Sequence, residues 1–161
     1  MIDLSLFAGK PVAVMGLGRS GLAAARALAA GGAKVRAWDD GEAERATARQ
    51  AGLPLADLSQ AEAWERVGTL VLSPGIPHTH PTPHVAARRA REVGAEIIGD
   101  IELLVRACPA ARYVAITGTN GKSTTVSLIR YLLEGQGHSA AAVGNIGQAL
   151  SDYTDSCHTF L

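Results

Sequence analysis

The loop TGTNGKST combines the residue types that hold the phosphates of a nucleotide. Gly118 and Gly121 allow a tight turn whose backbone N–H groups face an anion, and the N-terminus of a following helix adds partial positive charge. Lys122 can reach the outer phosphates, and the hydroxyl of Ser123 or Thr124 can ligate Mg2+. The loop therefore predicts a nucleoside-triphosphate site.

A second glycine-rich turn, GLGRSG, lies near the N-terminus. It follows the apolar run Pro11–Met15 and precedes an Ala- and Leu-rich segment of helical length, and a second apolar run over 34–38 ends in Asp39 and Asp40. A strand, this turn, a helix and a second strand ending in an acid form the nucleotide-binding fingerprint of parallel α/β proteins. The turn consists of Gly16, Leu17, Gly18, Arg19, Ser20 and Gly21.

A third loop follows the apolar run Thr69–Leu72, which is typical of a buried strand. Its residues are Ser73, Pro74, Gly75, Ile76 and Pro77. The two prolines prevent a helix from starting there, so we expect a rigid loop at the carboxyl end of the strand. In parallel α/β sheets, ligands bind at that edge.

The remaining pattern alternates helices with strands. We expect helices over 20–30, 42–51, 59–67, 83–93 and after 122, a short helix capped by Asp100, and strands over 96–98, 113–116 and 139–143. Ser59 and Glu62 have the spacing of a capping box at the start of their helix. The helix after Lys122 carries Val126, Ile129, Leu132 and Leu133 at three- and four-residue spacing.

Composition narrows the classes of partner. The 161 residues include fifteen basic and fifteen acidic side chains, and the formal net charge of zero gives no indication of a nucleic-acid or membrane partner. Two cysteines without a Cys-x-x-Cys spacing indicate neither a disulfide framework nor a zinc site. The N-terminus lacks the pattern of a signal peptide, which predicts a cytoplasmic protein.

Five motifs occur in an order that resembles the Mur ligase family: GLGRSG, LVLSPGIP, GAEIIGDIELL, AITGTNGKST and GNIG. The common phosphate-loop pattern has Gly where this chain has Ile116, whereas the family's ATP loop matches TGTNGKST closely. The resemblance implies an α/β fold with a Rossmann-like parallel-sheet domain over 1–108, followed over 109–161 by the start of a P-loop ATPase central domain. The residues after 109 are too few to bury an α/β core unaided, so we expect a longer protein.

The resemblance also implies an activity. Its closest motifs indicate an ATP-dependent ligase that adds D-glutamate to UDP-N-acetylmuramoyl-L-alanine through an acyl phosphate, with ATP and Mg2+ as cofactors, in peptidoglycan precursor synthesis. The full-length protein is expected to be monomeric and cytoplasmic, without a nucleic-acid or membrane partner. Further catalytic residues of the family would lie beyond Leu161, so the chain alone is expected to be inactive.

Carried over by position, the family's functional residues fall into three groups. ATP would contact Gly118, Thr119, Asn120, Gly121, Lys122, Ser123 and Thr124, with Mg2+ held by Ser123 or Thr124. Lys122 and Asn145 would act in catalysis, and Asn145 in the GNIG loop would face the muramoyl group. The UDP-sugar would contact Gly16, Gly18, Arg19, Ser20, Gly21, Asp39, Asp40, Ser73, Pro74 and Gly75.

Two other functions stay open from the residues. The glycines of the first turn and Asp39 would also suit an NAD-dependent oxidoreductase, although that function gives the loop at Gly118–Lys122 no role. The second of these functions is that of a non-catalytic fragment that binds a nucleotide sugar.

Two clusters outside these motifs have ordinary explanations. His78, His80 and His84 in the segment PHTHPTPH have the composition of a metal site, but a proline-rich loop preorganises ligands poorly, which favours a solvated or substrate-side loop. The run RRAR at 88–91 is interpreted as the exposed face of a helix.

Overall fold

Parallel strands form both sheets of this protein, and a computed structural model describes residues 2–143 and 159–160. The first sheet contains β1 (Pro11–Met15), β2 (Lys34–Trp38), β3 (Thr69–Leu72) and β4 (Glu96–Ile98). Their spatial order is β2-β1-β3-β4, and every neighbouring pair is parallel. The second sheet contains β5 (Arg112–Tyr113), β6 (Ala140–Ala141) and β7 (Thr159–Phe160), in the order β5-β7-β6 and again parallel. The predicted parallel-sheet α/β fold is confirmed.

Five α-helices connect or follow the strands in the described part of the chain. They are α1 (Arg19–Ala30), α2 (Glu42–Gln50), α3 (Val85–Glu92), α4 (Asp100–Ala107) and α5 (Lys122–Gly135). Short 3-10 turns occur at Ser5–Phe7 and Ala61–Trp64. In the described part of the chain, no helix has both the length and the apolar character needed to cross a bilayer.

The central strands are buried on both faces, which explains their unbroken apolar runs. Along β1, Val12 and Val14 belong to one apolar cluster, while Ala13 and Met15 belong to another. The first cluster includes residues of α1 and α4, and the second includes residues of α3 and Trp64. Side chains that alternate between two covered faces produce the three-layer arrangement of a doubly wound domain.

The strand order creates a switch point between β1 and β3. The chain runs from β1 through α1 to β2 on one side and then returns to β3 on the other side of β1. The connections therefore leave the carboxyl ends of β1 and β3 in opposite directions. Such a point opens a crevice above the sheet, where parallel α/β proteins bind their ligands.

The predicted helix over 59–67 is wrong. Only the 3-10 turn Ala61–Trp64 forms there, without a side-chain cap, so Ser59 and Glu62 do not build the predicted capping box. The Asp57 carboxylate accepts the Ser59 N–H at 2.9 Å, and the Ser59 carbonyl accepts from Arg89 Nε at 3.3 Å. These contacts hold Ser59 in a turn, and burial of the Trp64 ring anchors the segment against the sheet.

Several element boundaries also differ from prediction. Gly99 is the N-cap of α4, and Asp100 is its first residue, whose Oδ1 accepts the Ile101 N–H at 3.0 Å. The expected strands over 113–116 and 139–143 shorten to β5 and β6, because the second sheet pairs over two residues per strand. On α5, Leu132 is 51% exposed although Val126 is buried.

Tyr113 connects the second sheet to the first domain. Its hydroxyl donates to the carbonyls of Cys108 at 2.8 Å and Leu104 at 3.2 Å, and its ring stacks on Phe160 with 5.4 Å between centroids. Burial raises the pKa of the Tyr113 phenol, so the hydroxyl stays a donor at neutral pH. The division of domains between residues 108 and 109 stays a prediction.

A charged network fastens β4 to α4. Arg106 donates to both carboxylate oxygens of Glu96, at 2.7 and 2.9 Å, and its Nε donates to Glu102 at 2.9 Å. The Thr69 hydroxyl donates to Glu96 from the neighbouring strand at 3.0 Å. Arg106, followed by Thr69, holds the pKa of Glu96 below its ordinary value of 4.5. The ionised carboxylate therefore stabilises the fold above about pH 4.5, and this contribution is lost as the pH falls through the lower, folded-state pKa.

We predict that Glu96→Gln lowers the free energy of unfolding by about 1 kcal/mol at pH 7, since solvent screens a side chain that is 44% exposed. Urea unfolding between pH 7 and pH 3 should show this difference shrinking below pH 4.5. Glu92→Gln is the control, because Glu92 pairs with Arg89 on one exposed helix face, and it should cost only a few tenths of a kcal/mol. A Glu96→Gln loss that is independent of pH would contradict the assignment.

Candidate functional site

The loop after β1 turns sharply above the sheet, and its backbone leaves no room for side chains at two positions. Gly16 has φ of +91°, a conformation that L-residues with side chains rarely adopt. A Cβ on Gly21 would lie 1.8 Å from the Gly16 carbonyl oxygen. This contact brings the first turn of α1 against the end of β1, and so places the helix N-terminus over the carboxyl edge of the sheet.

The Asp39 carboxylate holds this loop against the end of β2. One oxygen accepts the Leu17 N–H at 2.6 Å, and the other accepts the Gly41 N–H at 2.8 Å. The Gly16 N–H donates to the Trp38 carbonyl at 2.9 Å. The acid of the nucleotide-binding fingerprint therefore shapes the loop with its own side chain.

Ser73 joins the same loop to β3. Its backbone N–H donates to the Met15 carbonyl at 3.0 Å, and its hydroxyl donates to the Gly16 carbonyl at 3.0 Å. A Cβ on Gly16 would lie 2.7 Å from the Ser73 side chain, so the two loops touch without space between them. The carboxyl ends of three strands are thereby connected through Gly16 and its neighbours.

These loops surround a cleft of about 490 Å³. Ten of the eleven positions that the sequence analysis assigned to the UDP-sugar line it, the eleventh being Asn145: Gly16, Gly18, Arg19, Ser20, Gly21, Asp39, Asp40, Ser73, Pro74 and Gly75. Met15 and Ile76 complete the lining. Residues from three separate segments thus meet at the switch point of the sheet, and the cleft has the size of many small-molecule sites.

The loop TGTNGKST forms a second, exposed feature at the N-terminus of α5. Gly118 has φ of +150° and Gly121, the N-cap, has φ of +78°, so both glycines occupy conformations that require the absence of a side chain. Lys122 Nζ donates to the Gly118 carbonyl and, at 3.3 Å, to the Thr119 carbonyl. The Lys122 side chain therefore folds back over the loop in which a phosphate group would bind.

The residues predicted to hold ATP and Mg2+ fit that role in their placement. Asn120 lies in the exposed loop, and Ser123 and Thr124 are exposed in the first turn of α5, where their hydroxyls would be close to an anion bound at the helix N-terminus. Asn145 lies outside the described residues. No residue of the loop TGTNGKST is among those that line the cleft.

The histidines do not form a metal site. In residues 2–143 and 159–160, no group of three or more His, Cys, Asp or Glu side chains is arranged to hold a metal ion. His84 caps α3 instead, through Nδ1, which accepts the Ala86 N–H at 3.2 Å. In the run RRAR, Arg88 and Arg91 are exposed as predicted, whereas Arg89 is half-buried and reaches Ser59.

The contacts of two residues beside the cleft were not predicted from the sequence, although the segment that contains His84 was interpreted as a solvated or substrate-side loop. Arg45 donates to the carbonyls of Asp39 at 2.6 Å and Asp40 at 2.8 Å, and its guanidinium lies 4.8 Å from the Trp38 ring centroid. His84 Nε2 lies 3.0 Å from Asp40 Oδ2. Arg45 lies six residues after Asp39 on a predicted helix, so its contact with the end of β2 could have been suspected from the sequence. No sequence pattern indicates the contact between His84 and Asp40, which are 44 residues apart.

We predict that Gly21→Ala destabilises the protein by about 3 kcal/mol or more, because the added methyl group must displace the Gly16 backbone. Gly18→Ala is the matched control in the same loop: nothing lies within 4 Å of its Cβ, and loss of a glycine N-cap costs about 1 kcal/mol or less. Thermal and urea unfolding of both variants measure the difference. Equal losses would show that the Gly16–Gly21 approach is looser than described.

Comparison with known proteins identifies the family. The Mur ligase MurD-like N-terminal domain matches residues 10–99. UDP-N-acetylmuramoylalanine--D-glutamate ligase of Paramagnetospirillum magneticum is 52% identical over 152 residues, which cover 94% of this chain and 33% of that protein. The ligase of the same name from Phenylobacterium zucineum is 52% identical over 161 residues, covering 96% and 34%. This chain thus spans about a third of the length of these relatives.

Solved structures agree on the fold. UDP-N-acetylmuramate:L-alanyl-gamma-D-glutamyl-meso-diaminopimelate ligase from Neisseria meningitides has a TM-score of 0.55 at 16% identity, covering 94% of this chain and 51% of that one. A murein peptide ligase from Psychrobacter arcticus has a TM-score of 0.53 at 16% identity, covering 94% and 37%. From the family match and the identity to its curated relatives, this chain belongs to the MurD-like members of the Mur ligase family.

Proposed function

We propose that this chain supplies the UDP-sugar cleft and the ATP phosphate loop of an ATP-dependent ligase that joins D-glutamate to UDP-N-acetylmuramoyl-L-alanine. The observation that carries the proposal is the meeting of ten of the eleven assigned residues around one cleft at the switch point of the sheet. The names of the relatives, UDP-N-acetylmuramoylalanine--D-glutamate ligase, support the choice of substrates. The product is a peptidoglycan precursor, so the protein would serve cell-wall biogenesis and, through it, cell shape and division.

In the cleft, backbone N–H groups at the start of α1 would receive the diphosphate of the UDP-sugar. The helix N-terminus favours negative charge, and Arg19 in its first turn can add a charge-assisted hydrogen bond. Asp39 would act indirectly, because both of its oxygens already shape the loop through backbone donors. Asp40 and the segment Ser73–Gly75 would lie near the uridine.

At α5, the loop Gly118–Gly121 and Lys122 would hold the phosphates of ATP. The Lys122 ammonium now donates to loop carbonyls, and phosphate oxygens would replace these acceptors. Mg2+, held with the help of the Ser123 or Thr124 hydroxyl, would neutralise charge on the phosphates. Catalysis of this kind depends mainly on positioning and charge neutralisation.

The proposed reaction has two steps. The L-alanyl carboxylate of the UDP-sugar attacks the γ-phosphorus of ATP, which releases ADP and leaves an acyl phosphate. The amine of D-glutamate then attacks the acyl carbon, forms the amide and expels inorganic phosphate. Asn145 is proposed to face the muramoyl group during these steps.

Since this chain spans about a third of its relatives' length, the ligation is proposed for the full-length protein. We propose that the full-length protein is a cytoplasmic monomer and that the chain alone binds UDP-sugar without ligating it. The alternative function of an NAD-dependent oxidoreductase would leave Gly118–Lys122 without a role. The alternative of a non-catalytic binding fragment would apply only to the isolated chain.

We predict that the chain of 161 residues binds UDP-N-acetylmuramoyl-L-alanine at millimolar concentration or below in calorimetry. Arg19→Ala should weaken binding about tenfold through loss of a phosphate contact. Arg88→Ala, on the exposed face of α3 and outside the cleft lining, is the control and should leave the affinity unchanged. Tight binding of NADH without binding of the UDP-sugar would overturn the proposal in favour of an oxidoreductase.

For the full-length protein that contains this chain, Lys122→Ala should lower kcat for ATP-dependent ligation about a hundredfold or more, because a cation that stabilises the transferred phosphoryl group is lost. Phosphate release in the presence of both substrates measures the rate. Affinity for the UDP-sugar should be unaffected. Lys34→Ala, an exposed lysine at the start of β2 and therefore at the opposite edge of the sheet, should retain full activity. A Lys122→Ala enzyme with normal kcat would refute the assignment.

A further inference from the structure

His84 reaches the nucleotide cleft from outside its lining. Its Nε2 lies 3.0 Å from Asp40 Oδ2, and Asp40 is one of the residues that line the cleft. The His84 side chain is 17% exposed and the Asp40 side chain is 71% exposed. A half-buried ring thus holds an acidic group that is open to the solvent and to a ligand.

The hydrogen bonds of His84 determine which ring nitrogen carries the proton. Nδ1 accepts the Ala86 N–H at 3.2 Å, so it must be unprotonated in this arrangement. The proton of the neutral ring then lies on Nε2, and that N–H donates to Asp40. The backbone N–H of His84 donates to the Pro77 carbonyl at 2.9 Å, which closes the loop between these residues. The ring is therefore held at Nδ1, and the backbone of His84 is held at Pro77, independently of the contact with Asp40.

The backbone of Asp40 is held by a different residue. Arg45 donates to the carbonyls of Asp39 and Asp40, and it also pairs with Glu42 through short contacts on α2. The chain path at the end of β2 thus depends on Arg45, while His84 restrains only the Asp40 side chain. In the described part of the chain, Asp40 Oδ1 has no hydrogen-bond partner and can accept one from a ligand.

We propose that His84 is a positioning residue for ligand binding: it holds Asp40 Oδ2 so that Oδ1 accepts a hydrogen bond from an O–H or N–H group on the nucleoside end of the bound ligand. The inference rests on the proposed function, in which this cleft takes a UDP-sugar. A mobile carboxylate would lose rotamer entropy on binding and would visit positions nearer the diphosphate, where like charges repel. The donated hydrogen bond removes both costs before the ligand arrives.

Two substitutions distinguish the role of Nδ1, which caps α3, from the role of Nε2, which contacts Asp40. Asparagine at position 84 keeps a side-chain acceptor for the helix cap but is too short to reach Asp40. Glutamine places an amide donor near the position of Nε2 but is a poor N-cap. We expect His84→Asn to keep the melting temperature within about 2 °C and to weaken UDP binding about three- to tenfold. We expect His84→Gln to keep UDP affinity within about twofold and to lower the melting temperature by several degrees.

A double-mutant cycle with Asp40→Asn tests the coupling directly. UDP is titrated calorimetrically into the 161-residue chain and its variants. Asp40→Asn should weaken binding, and adding His84→Asn to it should cause no further loss. Additive losses, or a His84→Asn variant with wild-type affinity, would overturn the positioning role while leaving the proposed function intact. Failure of the wild-type chain to bind either UDP or UDP-N-acetylmuramoyl-L-alanine would instead remove the proposed UDP-sugar cleft, and this inference with it.

Discussion

The hydrogen bonds around the Gly16–Leu17 peptide connect the ends of three neighbouring strands. β2 contributes the Trp38 carbonyl and the Asp39 carboxylate, and β3 contributes the Ser73 hydroxyl. The Gly16 carbonyl that accepts from Ser73 is also packed against Gly21, where a Cβ would lie 1.8 Å from the carbonyl oxygen. These contacts hold together the three loops that line the cleft.

This arrangement assigns a structural task to a residue that is usually discussed as a ligand contact. In the nucleotide-binding fingerprint, an acid about twenty residues after the glycines meets a ribose hydroxyl. Here the two Asp39 oxygens accept backbone N–H groups of Leu17 and Gly41. The neighbouring Asp40 is the acid whose side chain stays open to the cleft, and its restraint comes from α3 across the crevice. The fingerprint is thus divided between one residue that shapes the loop and one whose side chain is open to the cleft.

Much of the first domain could be predicted because its signals are local. The apolar runs of β1 to β4 determine structure within a few residues, and the four predicted strands are confirmed. The predicted helix at Ser59 was wrong because the capping pattern competes with hydrogen bonds to the Asp57 carboxylate and to Arg89, which lies 30 residues away. The short strands β5 and β6 could not be delimited, because pairing with Thr159–Phe160 sets their length.

The sequence by itself determined which chemistry was available: two glycine-rich turns that expose backbone N–H groups, a lysine and two hydroxyls at a helix start, and acids after β2. It also indicated the edge of the sheet where they would lie, since the carboxyl ends of parallel strands share one edge. Only the tertiary structure decided that Ser73 closes on Gly16 and that His84 reaches Asp40. The physical reason is distance along the chain: these pairs are 57 and 44 residues apart, and a hydrogen bond between them forms only after the strand order has brought their loops together.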